Sequence, residues 1–412
     1  MRIKSVILLG PALLLSSALF AQAQGGPTMG PTVAQAPMDE KQVIAELKKQ
    51  GADQLLKDLS ARGVAFEMDA DIEKSLRKAK ATDQIIQAVT AAGPKEREAA
   101  AKAAAMSSGA VVLAPDESAE FKALQSELDP DKAIALTEAF VQKHPNSSVL
   151  SYVYAFEANA YQTKGDAAKI VEYGEKSLDL KKDNLMSLMI VAYAIPTPQF
   201  VNLHQADEEK QLTKADGYCQ DALTAVDSLK KQAEESDADF AHRKSGYLSS
   251  IHADLGMIHL DRAQLGLMGL DKEELVKAEK EYGLAVAGTD HPDPTDYYRL
   301  GEAYRLDGKI DDAIAECKKA IQIDPEFGNP YNDIGAYLIE KGEYDEAIPW
   351  LERSLQSRRY ESYHYPHYNL GRVYSAKELY GKARYHFEEA LKLSPDYTLA
   401  KEGLDKVRHK VQ

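Results

Sequence analysis

Two histidines, His364 and His367, have the residue type and spacing that metal sites use. Three positions apart on a helix, they would share one face and could direct their ring nitrogens at a single ion. No carboxylate or thiol stands at a companion spacing, and the neighbouring Tyr363, Tyr365 and Tyr368 would make an aromatic binding surface equally well. We therefore predict no metal site here and interpret the segment as a packing or recognition surface.

The sequence also lacks the local patterns of common catalytic sites. It has no Gly-rich phosphate loop, nucleophile elbow, paired-His zinc helix or two-Cys metal knuckle. His252 and His259 lie one heptad apart and are interpreted as ordinary packing and surface residues. We expect no catalysis, no cofactor and no metal. An enzyme would need an unrecognised site, either in a lengthened helix pair near Leu265 to Asp271 or among Tyr363 to His367.

The chain has only two cysteines, Cys219 and Cys317, which are too few for a disulfide framework. Their separation in sequence leaves open whether they pair with each other. We interpret them as two buried thiols that act as small apolar residues.

The elements that must position any functional side chain are helices, and they repeat. A pattern of small and large residues recurs after 34 and again after 36 positions. Small residues at fixed places indicate antiparallel helix pairs whose backbones approach closely. The members of the pattern are Leu300, Gly301, Tyr304, Gly308, Ala313 and Ala320, then Ile334, Gly335, Leu338, Gly342, Ala347 and Ser354, then Leu370, Gly371, Tyr374, Ala383 and Ala390.

This pattern, with Pro325 and Pro395 closing the second helix of a pair, resembles the tetratricopeptide repeat family. The resemblance implies an all-α fold, a right-handed α-solenoid of antiparallel helix pairs. It places three repeats at 294–327, 328–361 and 364–397, followed by a capping helix at 398–412. The second repeat departs from the family because Arg359 replaces the closing proline and two extra residues follow near Tyr360 to Tyr363. We expect a local change in superhelical twist there.

Five further segments precede these repeats. The basic residues Arg2 and Lys4, an apolar run and Ala21-Gln22-Ala23 predict a cleaved secretory signal peptide at 1–23. A protein with such a signal is periplasmic or secreted and has no membrane span after cleavage. The remaining segments are predicted as a disordered linker at 24–38, a small four-helix module at 39–92, a linker at 93–117 and degenerate helix pairs of the same type at 118–292.

In the family that the repeats resemble, the first helix of each pair lines a concave groove that binds a partner. The resemblance therefore implies a protein-binding groove, and Tyr and Arg are residues that often anchor interfaces. The positions that it assigns to the groove are Tyr298, Glu302, Arg305, Asn332, Tyr365, Tyr368 and Arg372.

Some family members hold a partner's terminal carboxylate with Lys, Asn and Arg at set places along the groove. In this sequence Tyr298, Glu302 and Asp333 occupy places where that clamp would need basic or amide groups. A C-terminal carboxylate is therefore not the ligand that we predict.

The formal net charge of −15 repels phosphate backbones, so nucleic acid is not an expected partner. A protein or peptide segment of basic or mixed charge suits this surface better. The sequence thus predicts an exported scaffold or adaptor that mediates protein–protein interactions. A structural component of a cell-envelope assembly is the alternative from another class.

Overall fold

The computed structural model describes residues 37–94, 113–232, 235–265 and 269–410. The structure is 76% helix and contains no strands within those ranges, which confirms the predicted all-α fold class. Contacts divide the chain into two compact units, which are described separately below. None of the helices in the described ranges combines the length and the apolar character that crossing a membrane requires. The predicted signal peptide lies outside the described residues.

The smaller unit contains residues 37–94, 113–128 and 135–153. Its first part is a group of four helices, α1 (Glu40–Gln50), α2 (Ala52–Arg62), α3 (Ala70–Lys78) and α4 (Asp83–Ala91). Asp39, Asp69 and Thr82 cap three of the helix starts, because each side-chain oxygen accepts a hydrogen bond from a backbone N–H of the first turn. Their shared core includes Leu55, Leu76, Ile85 and Val89.

Both linkers that the sequence predicts are shorter at one end than expected. Met38 is 0% exposed and its backbone exchanges hydrogen bonds with Gly63 and Ala65, so the four-helix module begins before residue 39. Pro115 starts a helix inside the predicted linker at 93–117, namely α5 (Pro115–Ser126). A proline is favoured at the first position of a helix, where no backbone N–H is needed.

The larger unit contains residues 129–134 and the chain from 154 onward. Successive helices along the chain pack against each other, from α8 against α9 to α19 against α20, as in a stack of helix pairs. The helices that follow α5 are α6 (Pro130–Lys143), α7 (Leu150–Lys164), α8 (Ala167–Leu180), α9 (Leu185–Ala194), α10 (Pro198–Val201), α11 (Glu208–Asp227), α12 (Asp237–Leu265), α13 (Lys272–Ala287), α14 (Pro294–Leu306), α15 (Ile310–Ile323), α16 (Gly328–Glu340), α17 (Tyr344–Ser354), α18 (His364–Ala376), α19 (Tyr380–Leu393) and α20 (Thr398–Val407).

Glycine stands where two helices of a pair come closest. A Cβ atom at Gly301 would lie 3.0 Å from the carbonyl oxygen of Ala313, and one at Gly335 would lie 2.5 Å from the side chain of Leu351. At Gly371 the corresponding distance to the ring of Phe387 is 2.6 Å. A Cβ atom at Gly335 or Gly371 would force the Leu351 or Phe387 side chain to shift, and this close approach is the physical basis of the repeated pattern.

The turns between the paired helices need a positive φ angle. Gly308 and Gly342 supply it with φ of +83° and +78°, values that glycine adopts without steric cost. The third repeat has Glu378 at this place, with φ of +57°. A side chain is therefore accommodated in the left-handed region at the α18–α19 turn.

Arg359, at the end of the second repeat, pairs with the backbone where the first repeat joins the second. The N–H of Gly328 donates to the carbonyl of Arg359 at 3.0 Å, and the N–H of Arg359 donates to the carbonyl of Glu326 at 3.0 Å. The guanidinium of Arg359 lies 4.4 Å from the centre of the Phe327 ring and also binds Asp324. Arg359 thus holds its segment in place where the family has a proline.

Cys219 and Cys317 are free and buried, which agrees with their interpretation as small apolar residues. Burial raises the pKa of both thiols well above the ordinary value. Neither thiol therefore has the thiolate character that reactive cysteines require.

Candidate functional site

All seven residues predicted for the groove lie on the first helices of the three C-terminal repeats, α14, α16 and α18. Tyr298 and Asn332 are buried, whereas the other five are partly exposed. These seven residues and their neighbours Asp333 and Asn369 are called the first-helix face. Its members are Tyr298, Glu302, Arg305, Asn332, Asp333, Tyr365, Tyr368, Asn369 and Arg372.

A chain of hydrogen bonds crosses the three first helices. The hydroxyl of Tyr298 donates to Asp333 Oδ2 at 2.9 Å, and Asn332 Nδ2 donates to Asp333 Oδ1 at 3.0 Å. Asn369 Nδ2 donates to Asn332 Oδ1 at 3.0 Å, and Arg372 donates to Asn369 Oδ1 at 3.0 Å. Each bond satisfies a polar group that packing removes from water, so the chain fixes the three helices in one register.

Asp333 is the charged group at the centre of this chain. Burial raises its pKa to about 6, an effect that Glu302 reinforces, while the hydrogen bonds from Tyr298 and Asn332 act in the opposite direction. At neutral pH the carboxylate is mostly ionised and accepts both hydrogen bonds. Its charge is therefore largely committed to neighbours within the protein.

The remaining charges of the face are distributed unevenly. Glu302 is neutralised by Arg299, whose guanidinium donates to the carboxylate at 2.8 Å. Arg305 and Arg372 form no ion pair with any residue in the ranges that the structure describes. The first-helix face thus presents two cations that form no ion pair, although the charge of Arg305 acts on the nearby Asp333 carboxylate.

Aromatic rings surround the α18 end of the face. The Tyr397 ring lies 5.6 Å from Tyr365, 5.1 Å from Tyr368 and 5.3 Å from His364, with each pair close to edge-to-face. The Arg372 guanidinium lies 5.7 Å from the centre of the Tyr368 ring. This arrangement combines apolar contact area with a directed cation, which is typical of anchor positions in protein interfaces.

The structure brings only part of the predicted set together. Tyr298, Asn332 and Arg372 belong to one hydrogen-bonded chain, but only through Asp333, considered above only as a clamp position, and Asn369, which was not predicted. Tyr365 and Tyr368 belong to the aromatic cluster, which also needs Tyr397 from the turn before α20. Asp333 directly follows Asn332, and Asn369 directly follows Tyr368. Their place next to a predicted groove residue was the sign of them that the sequence offered.

The repeats that carry this face match two family models. The model described as tetratricopeptide repeat matches residues 295–327, and a second model of the same description matches residues 326–396. The C-terminal third of the chain carries tetratricopeptide repeats. Repeats of this kind generally serve as scaffolds for protein–protein interaction.

Similar proteins share the same repeat. The small glutamine-rich tetratricopeptide repeat-containing protein 2 of Mycosarcoma maydis is 30% identical over 100 residues, which cover 21% of this chain and 28% of that relative. YrrB, described as a tetratricopeptide repeat protein with an unusual peptide-binding site, is 17% identical with a TM-score of 0.38, over 57% of this chain and 99% of its own. A tetratricopeptide repeat protein from Parabacteroides merdae is 12% identical with a TM-score of 0.42, and the match covers 72% of this chain and 100% of that protein.

Proposed function

We propose that this protein is an exported, non-catalytic scaffold that binds a segment of another protein along the first-helix face. The observation that carries the proposal is the hydrogen-bonded chain from Tyr298 to Arg372, which holds three helices in register. At the Arg372 end, partly exposed aromatic rings and a cation adjoin the chain. A face that is fixed before binding loses little conformational entropy when a partner docks.

The charges of the face favour a partner segment of mixed charge. A purely basic segment would be repelled by Arg305 and Arg372, while Arg299 already neutralises Glu302 and the charge of Arg305 already acts on Asp333. A carboxylate of the partner would find these two unpaired guanidinium groups. Basic side chains of the same segment would be attracted by the net charge of −15 of the whole chain.

Export is part of the proposal and rests on the basic, apolar and small-residue order of residues 1–23. Expression of the full chain in a Gram-negative host, followed by separation of periplasm and cytoplasm, should give a periplasmic protein whose first residue is Gln24. N-terminal sequencing of the purified protein makes the measurement. Recovery of the uncut chain in the cytoplasm would contradict export and leave the binding proposal unaffected.

The binding proposal is tested with a displayed library of random peptides and the purified full chain. We expect the wild-type chain to enrich peptides that contain both acidic and basic residues. A variant with Arg305→Ala, Tyr368→Ala and Arg372→Ala should lose at least about tenfold in affinity for these peptides, since two or more interface anchors are removed. Affinities are measured by fluorescence anisotropy.

A matched control variant carries Arg384→Ala and Tyr385→Ala on α19, where both side chains are exposed and outside the first-helix face. The control should bind the enriched peptides as the wild-type chain does. Equal weakening in both variants, or equal affinity in all three proteins, would show that the first-helix face is not the binding surface. Enrichment of purely basic peptides would contradict the proposed mixed charge of the partner, but not the proposed binding surface.

A further inference from the structure

Two histidines outside the first-helix face lie against each other in the third repeat. His367 on α18 and His386 on α19 place their Nδ1 atoms 3.1 Å apart, with the ring centres separated by 5.3 Å. Both rings are partly exposed. His364, three residues before His367, packs on Tyr365 and Tyr397.

The surroundings hold the His386 ring in a fixed orientation and keep both rings neutral. Tyr374 stacks on His386 at 5.4 Å with an angle of 16° between the planes, and Tyr385 approaches edge-on at 5.1 Å. Burial lowers the pKa of His367, and burial together with His367 lowers that of His386 to about 4. Neutral imidazole is the form that binds metal ions.

We propose that His367 and His386 chelate one divalent transition-metal ion through their two Nδ1 atoms. Zinc–nitrogen bonds are about 2.05 Å long, so nitrogens 3.1 Å apart subtend about 98° at the ion. This angle lies between the octahedral and tetrahedral values, so the separation of the two nitrogens suits one ion once each ring has turned to direct its Nδ1 lone pair at it. The histidine that now donates the hydrogen bond transfers its proton from Nδ1 to Nε2, so no net proton is released.

The site takes two ligands from the protein and the others from water. Within the described residues there is no group of three or more His, Cys, Asp or Glu side chains placed to hold a metal ion. Imidazole ligands favour Zn²⁺, Ni²⁺ and above all Cu²⁺, whereas Mg²⁺ and Ca²⁺ require oxygen ligands. Glu389, one turn after His386, contributes a negative charge that acts on both rings, and the positive charge of Lys382 opposes it at His386.

Because one ligand comes from each helix of the pair, a bound ion would hold α18 against α19. An ion that binds the folded repeat and not the unfolded chain stabilises the repeat by mass action. The open coordination positions would also let the ion exchange with solvent. The structure therefore assigns to the third repeat a metal site that links α18 to α19. This assignment does not depend on the proposed peptide binding.

The test uses the full chain purified without a histidine tag and treated with a chelator. Calorimetric titration with ZnCl₂ should show one ion per chain, and MgCl₂ should show none. His367→Ala and His386→Ala should each weaken zinc binding by more than about tenfold, the loss that changing even an outer partner of a metal ligand can cause. Electron paramagnetic resonance with Cu²⁺ should detect two nitrogen ligands in the wild-type chain and fewer in either variant.

His364→Ala is the matched control, since it removes a neighbouring imidazole of the same helix and leaves the pair intact. It should bind zinc as the wild-type chain does, and zinc should raise the melting temperature of both. His386→Gln serves if His386→Ala fails to fold by circular dichroism. The proposal is overturned if the wild-type chain binds no ion, or if zinc binds His367→Ala and His386→Ala as tightly as wild type.

Discussion

Replacing Phe387 by alanine should lower the free energy of unfolding of the C-terminal repeat by about 3–5 kcal/mol, the usual cost of deleting a buried aromatic ring. Phe387 is 2% exposed and lies between two glycines of different helices. Cβ atoms built at Gly371 on α18 and at Gly403 on α20 would each lie 2.6 Å from its ring. The ring therefore fills the space that both glycines leave, and its loss opens a cavity at the end of the stack.

The effect of Phe387→Ala should be local, because each repeat of a solenoid contacts only its neighbours. Hydrogen exchange should increase most in α20, which loses its packing partner, and urea denaturation followed by circular dichroism gives the change in stability. Tyr385→Ala is the control, since Tyr385 is on the same helix and is 55% exposed. Surface substitutions of this kind change stability by about 0.5 kcal/mol or less. Equal urea midpoints for the two variants would contradict the packing of the third repeat.

The three C-terminal repeats could be predicted from the sequence because their packing leaves no choice of residue at certain places. A Cβ atom would lie only 2.5 Å from Leu351 at Gly335 and 2.6 Å from Phe387 at Gly371, and Gly301 faces the Ala313 carbonyl at a tight 3.0 Å. Such a requirement recurs at the period of the repeat and is visible as a pattern. The regularity of the pattern, more than its helical propensity, identified these helices.

The segment boundaries near the N-terminus were less accurate because their causes are not periodic. Met38 joins the four-helix module through single hydrogen bonds to Gly63 and Ala65, which leave no signal in the surrounding sequence. Pro115 lies inside the segment predicted as a linker, but a proline also suits the first position of a helix. A proline can thus mark either a linker or the start of a helix. Here the burial of Phe121, on the same helix, shows that the segment is helical.

The sequence indicated which helices bear the candidate site but not how its side chains are connected. Tyr298 and Asn332 were predicted to face a partner, and the structure buries both in hydrogen bonds to Asp333. The bond between Asn332 and Asn369 joins two repeats, so it depends on the offset between them. The two extra residues near Tyr360 change the offset between the second and third repeats. A family pattern of fixed length does not predict that offset.

Replacing Asp254 by asparagine should make the protein more stable at high pH. Asp254 on α12 is 8% exposed and has no hydrogen-bond or ion-pair partner among the described residues. Burial, with a further contribution from Asp296 on α14, raises its pKa well above the ordinary value. An acid with a raised folded-state pKa costs stability once the pH exceeds the unfolded-state value of about 3.9, and the cost grows until the pH reaches the folded-state pKa.

Asparagine has nearly the same shape as aspartate and no charge to bury. We therefore expect Asp254→Asn to match the wild-type free energy of unfolding near about pH 4 and to exceed it by about 1–3 kcal/mol near pH 8, the usual cost of removing a polar group from water. Urea denaturation across this range measures the difference. Asp221→Asn, an exposed change on the neighbouring α11, should show no such trend. A difference independent of pH for Asp254→Asn would mean that the carboxyl group is solvated, and the burial of Asp254 on α12 would then be wrong.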